Sequence, residues 1–261
     1  SMVSDDVHER LISSGASVLY IGDHGQLPPV RNRDRISIAL EERDHTLSSI
    51  VRQAEDSPII QFAYLMREGG HLNQPTEGIK YMSVGSSDGI ARYCIDHDID
   101  MVIAATNRMR DAVNRNMRRH LGFSGEPFQV GETVIICSNN YGAGVFNGEL
   151  FTVTKVHGRE EHKEGEIVKV AMQELNGDRQ VAMVELGYRW RGDVAFEEGI
   201  VAADSGYCLT AHKAQGSEAP SVAVVNEPIG WMGSGAPAWR YTAVTRAKEE
   251  LHVLDPRGYI S

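Results

Sequence analysis

Four short segments carry residue types that suit phosphate chemistry. The first is Gly22-Asp23-His24-Gly25-Gln26-Leu27-Pro28-Pro29-Val30, placed directly after an apolar run. The second is Val51-Arg52-Gln53-Ala54, followed by Ser57-Pro58-Ile59-Ile60. The third is Leu209-Thr210-Ala211-His212-Lys213-Ala214-Gln215-Gly216-Ser217-Glu218, and the fourth is Tyr241-Thr242-Ala243-Val244-Thr245-Arg246-Ala247-Lys248. Arg52 and Arg246 each bring a guanidinium, whose fork matches phosphate oxygens and stays charged. Gly216 permits close backbone approach, Glu218 can accept from a hydroxyl, and the Gln26 amide can accept from a water while donating to a phosphate oxygen. Thr210, His212 and Lys213, with Asn107 and Arg108, supply hydroxyl, amide and cationic donors that hold phosphates without reading a base sequence.

The elements that must position these groups can be read coarsely. Residues 17–21 (Ser, Val, Leu, Tyr, Ile) read as a short buried strand ended by Gly22-Asp23. Residues 47–66 have apolar positions at roughly helical spacing, with Pro58 interrupting. Residues 101–105 form a second continuous apolar strand. A helix follows from Arg108 to His120, with Met109, Val113 and Met117 on one face and five arginines elsewhere, opposed within the segment only by Asp111. From about Val130 the pattern changes to short alternating strands divided by Asn147-Gly148 and Asn176-Gly177, and Ile167 to Leu186 reads as one hairpin around Asn176-Gly177-Asp178. Ser221 to Val225 and Leu251 to Leu254 return to buried-strand texture, with a helix between Pro237 and Lys248. The pattern predicts an α/β domain interrupted by a small β insertion over 131–203.

The chain has 261 residues, enough for about two domains. Its 41% hydrophobic and 24% charged composition is that of an ordinary globular protein. A net charge of −10 disfavours a histone-like, generally basic nucleic-acid binder but leaves room for a local channel. No apolar run approaches the ~18 residues of a membrane span, and the acidic start Ser1 to Asp6 has no secretory character. Cys94, Cys137 and Cys208 are far apart and odd in number, so neither a zinc site nor a disulfide framework is indicated. A reducing cytoplasm is the expected compartment.

In their order, the four segments resemble the motifs of superfamily 1 helicases, and most closely the RecD-like and Dda-like branch that moves 5′ to 3′ on single-stranded DNA. Gly22–Val30 looks like motif III, the Arg52-Gln53 pair like motif IV, Thr210–Glu218 like motif V and Tyr241–Lys248 like motif VI. Thr106-Asn107-Arg108 with Val113-Asn114 is similar to the motif between IV and V. The resemblance implies a RecA-like parallel-sheet fold interrupted by an SH3-like β-barrel. It places residues 1–45 at the end of a first RecA-like domain, 46–130 and 204–261 in a second, and 131–203 in the barrel. It makes Arg246 the arginine finger and Arg52 a second γ-phosphate arginine. Gln26 then links nucleotide to DNA, while Gly216, Glu218 and Asp23 lie on the nucleotide side. Pro28, Pro29, Asn107, Arg108, Thr210, His212 and Lys213 are the candidates for the DNA strand.

No GxxxxGK[ST] phosphate loop occurs, nor a strand ending in Asp-Glu to hold magnesium. The opening Ser1-Met2-Val3 resembles the end of the family's motif II, with a tag remnant followed by an initiator as the other reading of Ser1-Met2. The chain is therefore expected to be a piece cut just after those acids, with the ligands of ATP and Mg2+ in the missing N-terminal RecA-like domain and no ATPase activity of its own. Single-stranded DNA and subunits of a recombination complex are the expected partners, and no membrane is. Blander readings compete. Arg246 could be a surface ion-pair partner, His212 a packing histidine, the arginine-rich helix a solvated face, and Glu160 to Glu164 an exposed loop. As a whole, the chain could be a non-catalytic DNA-binding or assembly module, such as a degenerate helicase half of a relaxase or of a recombination nuclease, and an RNA helicase of the same superfamily is a third reading.

Overall fold

The computed structural model describes residues 3–28, 45, 57–123, 125–175 and 177–257. In chain order its elements are α1 (Asp5–Ser13), α2 (Pro58–Arg67), β1 (Lys80–Ser83), α3 (Ser87–Asp96), β2 (Met101–Ala104), α4 (Asn107–His120), β3 (Thr133–Ile136), β4 (Leu150–His162), β5 (Gly165–Glu174) and β6 (Gln180–Tyr188). They continue with α5 (Gly192–Glu197), β7 (Val201–Ser205), β8 (Cys208–Thr210), the short turn α6 (Ala211–Ala214), β9 (Ala219–Val225), a 3-10 turn at Gly230–Gly235, α7 (Ala236–Val244) and β10 (Ala247–Asp255). The chain divides into two compact units: residues 1–86, 97–107 and 210–261 make one, residues 87–96 and 108–209 the other. Among the described residues, no helix is long and apolar enough to cross a membrane.

The first unit is built on parallel strands in the order β1-β10-β9-β2. Met101, Val102 and Ile103 of β2 pair with Val222, Ala223 and Val224 of β9, which in turn pair with Leu251, His252 and Val253 of β10. All four residues of β2 are buried, as are the last four of β9. This is why these strands read as unbroken apolar runs, since a parallel sheet covered on both faces has no solvent side. Helix α7 is the crossover between β9 and β10. Pro58 starts α2 after an extended Ser57, because proline fits the first turn, where its missing N–H is no loss. Ile59, Phe62, Ala63 and Met66 then fall on one buried stripe at helical spacing. The earlier part of the expected 47–66 helix lies outside the described residues.

Residues 17–21 correct the sequence expectation. They run outside any strand, and all but the half-buried Tyr20, which packs on the His8 ring, are exposed, with Leu19 at 84% and Ile21 at 88%. An apolar run signals a buried strand only if the fold supplies a neighbour to pair its backbone and a layer to cover it, and the described residues supply neither.

The second unit contains a closed barrel, β3-β4-β5-β6-β7, sealed by antiparallel pairing of β7 with β3. Strands β5 and β6 form the expected hairpin, with Val170 opposite Val184. Strand β7 pairs parallel to β6, which requires a crossover, and α5 lies within it. The interior is filled by Phe128, Phe151, Met172, Leu186 and a ring of valines, all nearly inaccessible to water. The acidic stretch Glu160 to Glu164 is not a free loop, since its first residues extend β4 and its last form the turn into β5. Trp190 and Trp239 are buried and Trp231 is exposed.

In the same unit α4 buries Val113, Asn114 and Met117. The Asn114 amide accepts from the Cys208 N–H at 2.8 Å and donates to its carbonyl at 3.0 Å, acting as a short stretch of strand. The arginines of α4 are not uniformly solvated. Arg110 meets Asp111 at 2.7 Å and Asp204 at 3.3 Å, Arg118 pairs with Glu132, and Arg119 with Asp88. Hydrogen bonds from Arg92 and then His120 hold the Asp88 carboxyl down at about 2. Arg108 and Arg115 remain exposed.

Candidate functional site

Three of the singled-out segments converge within the first unit, at the amino ends of β9 and β10. The Ala219 amide that starts β9 donates to the carbonyl of Arg246, the residue before β10, at 3.0 Å. Helix α7 ends at Val244 and β10 starts at Ala247, so Arg246 is delivered by a two-residue turn between helix and strand.

Arg246 is only 5% exposed. Its Nε donates to the Thr242 carbonyl at 3.0 Å, one Nη to the Ser217 carbonyl at 3.0 Å, and the other to the Thr245 hydroxyl at 2.9 Å. These acceptors are neutral, and no carboxylate of the described residues stands within ion-pair distance. Burial pushes the guanidinium below its usual range, opposed by the more distant charge of Glu218. A guanidinium has five N–H donors, so three bonds hold the side chain and two remain. Taking a cation out of water without a counter-ion costs several kcal/mol. Neutral acceptors are therefore a poor bargain for stability alone, and they leave the positive charge uncompensated. The surface ion-pair reading of Arg246 does not match this setting.

The segment after Gly22 docks against the same place. The Asp23 carboxylate accepts from the Gly25 N–H at 2.8 Å, from the Gln26 side-chain amide at 3.4 Å and from the Tyr241 hydroxyl at 2.8 Å. Burial, and then the bond to Asp23, raise the Tyr241 phenol. One residue on, the Leu27 N–H donates to the Thr242 hydroxyl at 2.9 Å, and its carbonyl accepts from the Gln215 amide at 3.1 Å. Gly25 is needed for the fit: a Cβ there would lie 3.1 Å from both Arg67 Nε and Tyr241 Cε1. Arg67 stacks over the Tyr241 ring, 5.8 Å from its centre, and bonds the His24 ring. Gln26 is thus held at the junction through Asp23, while Asp23 itself is spent on this docking.

Other expected site residues are placed as follows. Gly216 adopts φ +84°, open to glycine without strain, and nothing lies near the position a Cβ would take. The Glu218 carboxylate pairs with Lys248 at 3.2 Å on the surface. Thr210, His212 and Lys213 are half-buried around α6, whose Ala211 and Ala214 are buried. Asn107 is exposed, and just before it the Thr106 N–H and hydroxyl are held by Glu227 at 3.2 and 2.6 Å. Pro28 is half-buried. Pro29 and Arg52 lie outside the described residues. Tyr241 and Thr242 carry no role in the sequence reading, yet a phenol and a hydroxyl shortly before Arg246 were the available signal. Arg67 gave no signal, because its partner His24 is far away in sequence.

The chain is similar to several known helicases. Residues 205–254 match the UvrD-like helicase C-terminal domain family. The ATP-dependent RecD2 DNA helicase of Deinococcus radiodurans is 28% identical over 275 residues, covering 96% of this chain but 34% of the relative, so the chain spans about a third of that protein. Among solved structures, the Pif1 helicase from Candida albicans has a TM-score of 0.56 at 20% identity, covering 97% of this chain and 70% of its own. The Pif1 helicase from Bacteroides in complex with ADP-AlF3 and single-stranded DNA has a TM-score of 0.58 at 15% identity, covering 97% and 68%. The fold is of the RecA-like kind these helicases share, with a parallel sheet and a separate closed barrel. The chain resembles the C-terminal part of superfamily 1 helicases of the RecD-like kind.

Proposed function

We propose that this chain, similar to the C-terminal part of RecD-like superfamily 1 helicases, is the clamping half of an ATP-dependent DNA helicase that moves 5′ to 3′ on single-stranded DNA. In this reading residues 1–45 close the first RecA-like domain, 46–130 and 204–261 form the second, and 131–203 are an SH3-like barrel. The exposed Leu19 and Ile21 support the first assignment, because a strand belonging to another domain's sheet would leave such residues uncovered here. The observation that carries the reading is Arg246, a buried guanidinium held only by neutral oxygens where segments 23–27, 215–218 and 241–246 meet.

The mechanism follows from these residues. Arg246, already oriented by three bonds, has two donors left for phosphate oxygens, and an arginine finger is worth roughly 10³–10⁵ in rate. Arg52 is assigned the second γ-phosphate contact. Gln26 sits where it can orient a water or a phosphate oxygen, and its bond to Asp23 ties it through Tyr241 to the helix that ends beside Arg246. Bare backbone at Gly216 allows close approach of the nucleotide, and Glu218 can exchange Lys248 for a ribose hydroxyl. ATP with Mg2+ supplies the transferable phosphoryl group. The Mg2+ ligands and phosphate loop are assigned to a domain outside this chain, whose sequence has no GxxxxGK[ST] segment. Thr210, His212, Lys213, Asn107, Arg108 and the Pro28-Pro29 edge are assigned to the DNA strand, where backbone phosphates are held without sequence readout.

The test compares the 261-residue chain with a protein restored at its N-terminus. The chain alone should hydrolyse ATP at background, and the restored protein should show DNA-stimulated turnover. Arg246→Ala in the restored protein should abolish turnover while leaving single-strand binding largely intact. Turnover by the isolated chain would refute the division of labour. Full activity of the variant would favour the non-catalytic module. Strand displacement on 5′- and 3′-tailed duplexes tests the polarity.

A further inference from the structure

At the opposite edge of the sheet, beyond the carboxyl ends of β9 and β2, lies a cleft of about 700 Å³. Its walls include His71, Asn73, Asn226, Glu227, Ala236 and Arg240. This is the edge of a parallel α/β sheet where ligands characteristically bind. The structure assigns this cleft as a second phosphate site, taking a singly charged phosphodiester of the single strand through the Arg240 guanidinium. The assignment rests on the single-strand reading above, which it deepens by naming a contact outside the recognised motifs.

Arg240 is 7% exposed, sits on the buried side of α7, and its Nε has no hydrogen-bond partner. No acid or acceptor of the described residues pairs with it, and burial alone pushes it below the usual guanidinium range. An unpaired buried cation is costly, and an arginine fork is shaped for two oxygens of one oxyanion. Helix α7 begins in the same wall at Ala236, after Gly235, with no side-chain cap, so its positive dipole end faces the same space.

The chemistry of the wall narrows the ligand. Glu227 is the carboxylate of the cleft, yet it does not pair with Arg240. Its oxygens are taken by the Ala105 N–H at 2.6 Å, the Thr106 N–H at 3.2 Å and the Thr106 hydroxyl at 2.6 Å. With one fixed negative charge already present, a dianionic phosphate ester is disfavoured and a monoanionic diester is admitted. Glu227 also anchors the residues leading directly to the exposed Asn107, so one wall of the cleft is continuous with a segment assigned to the DNA strand.

The experiment measures binding of oligothymidylate to the 261-residue chain against salt concentration, for the wild type, Arg240→Met and Arg240→Lys. Inorganic phosphate is titrated in parallel while the Arg240 Nε–H resonance is followed. Loss of one phosphate contact should weaken Arg240→Met about tenfold and lower the slope of log K on log salt by about 0.7. Arg240→Lys, which keeps the charge, should keep most of the slope while losing affinity. Without ligand, Arg240→Met should melt no lower than wild type, because it removes an unpaired buried charge. Unchanged affinity and slope in Arg240→Met overturn the inference and leave the helicase reading standing. A clearly lowered melting temperature without ligand also overturns it, since Arg240 would then be structural. If the wild type fails to bind oligothymidylate, the single-strand reading fails and this assignment with it. In that case an Nε–H shift with inorganic phosphate would identify free phosphate as the occupant.

Discussion

The two edges of the parallel sheet each hold a buried arginine, one inside α7 and one just past its end, and they are solvated by the protein in opposite ways. At the amino edge, Arg246 donates to three oxygens of its own fold. At the carboxyl edge, the Arg240 Nε has no acceptor among the described residues. Burial depresses both guanidiniums, so burial does not separate them. The difference lies in preorganisation. Arg246 is held in one geometry before anything binds, as a group acting on a transition state must be. Arg240 keeps its hydrogen-bonding capacity for whatever enters the cleft.

The largest expected effect that sharpens this contrast is on turnover. In the N-terminally restored protein, Arg246→Lys should lower ATP hydrolysis by roughly 10³, because lysine keeps the charge but not the fork. Arg240→Lys should leave saturating turnover nearly unchanged. Equal losses, measured as kcat at saturating DNA, would erase the distinction between the edges. Next comes Gly25→Ala, which forces a methyl against Arg67 and Tyr241 and should cost about 1–3 kcal/mol in urea unfolding. A neutral outcome would mean that the docked segment does not brace the Arg246 side. Tyr241→Phe is milder. It removes one of three donors to Asp23 and should cost about 1–2 kcal/mol, with a matching loss in the Asp23→Asn variant and little further loss in the double variant.

The smallest effect probes the sheet between the edges. Burial lowers the His252 imidazole below its ordinary value of 6.5. The unfolded chain therefore takes up a proton that the folded chain resists. Stability should fall as pH drops through about 6.5, and His252→Gln should flatten that slope in melts between about pH 7 and pH 5. An unaltered slope would move the acid sensitivity elsewhere.

Much of this was legible in advance where local signals were strong. Helix α4 carried a clean four-residue repeat, β5 and β6 flanked a turn signal, and β2, β9 and β10 were continuous apolar runs. Residues 17–21 carried the same apolar signal and form no strand among the described residues, because pairing is a property of neighbours and not of the run itself. Acid partners for three arginines of α4 include Asp88, Glu132 and Asp204, all distant in sequence, so composition within the helix suggested more bare positive charge than exists. In the site, Arg246 was visible because its surrounding segment is distinctive. Arg240 was not, although it falls four residues from both Ala236 and Val244, on a face otherwise made of small and apolar side chains. A charge on such a face is a sign a sequence does offer.

The closed ring of β3 to β7 has a consequence for how that unit can be approached. The ring closes, but β3 pairs only with Leu150–Thr152 of β4 and β7 only with Leu186–Tyr188 of β6, so among the described residues the rest of β4 and β6 has a strand partner on one side alone. Where the ring is paired on both sides, a partner must engage side chains and connecting loops, such as the exposed Tyr141 packed edge-on against Phe146. The surface chemistry of that fully paired part can therefore be altered residue by residue without exposing a new backbone edge.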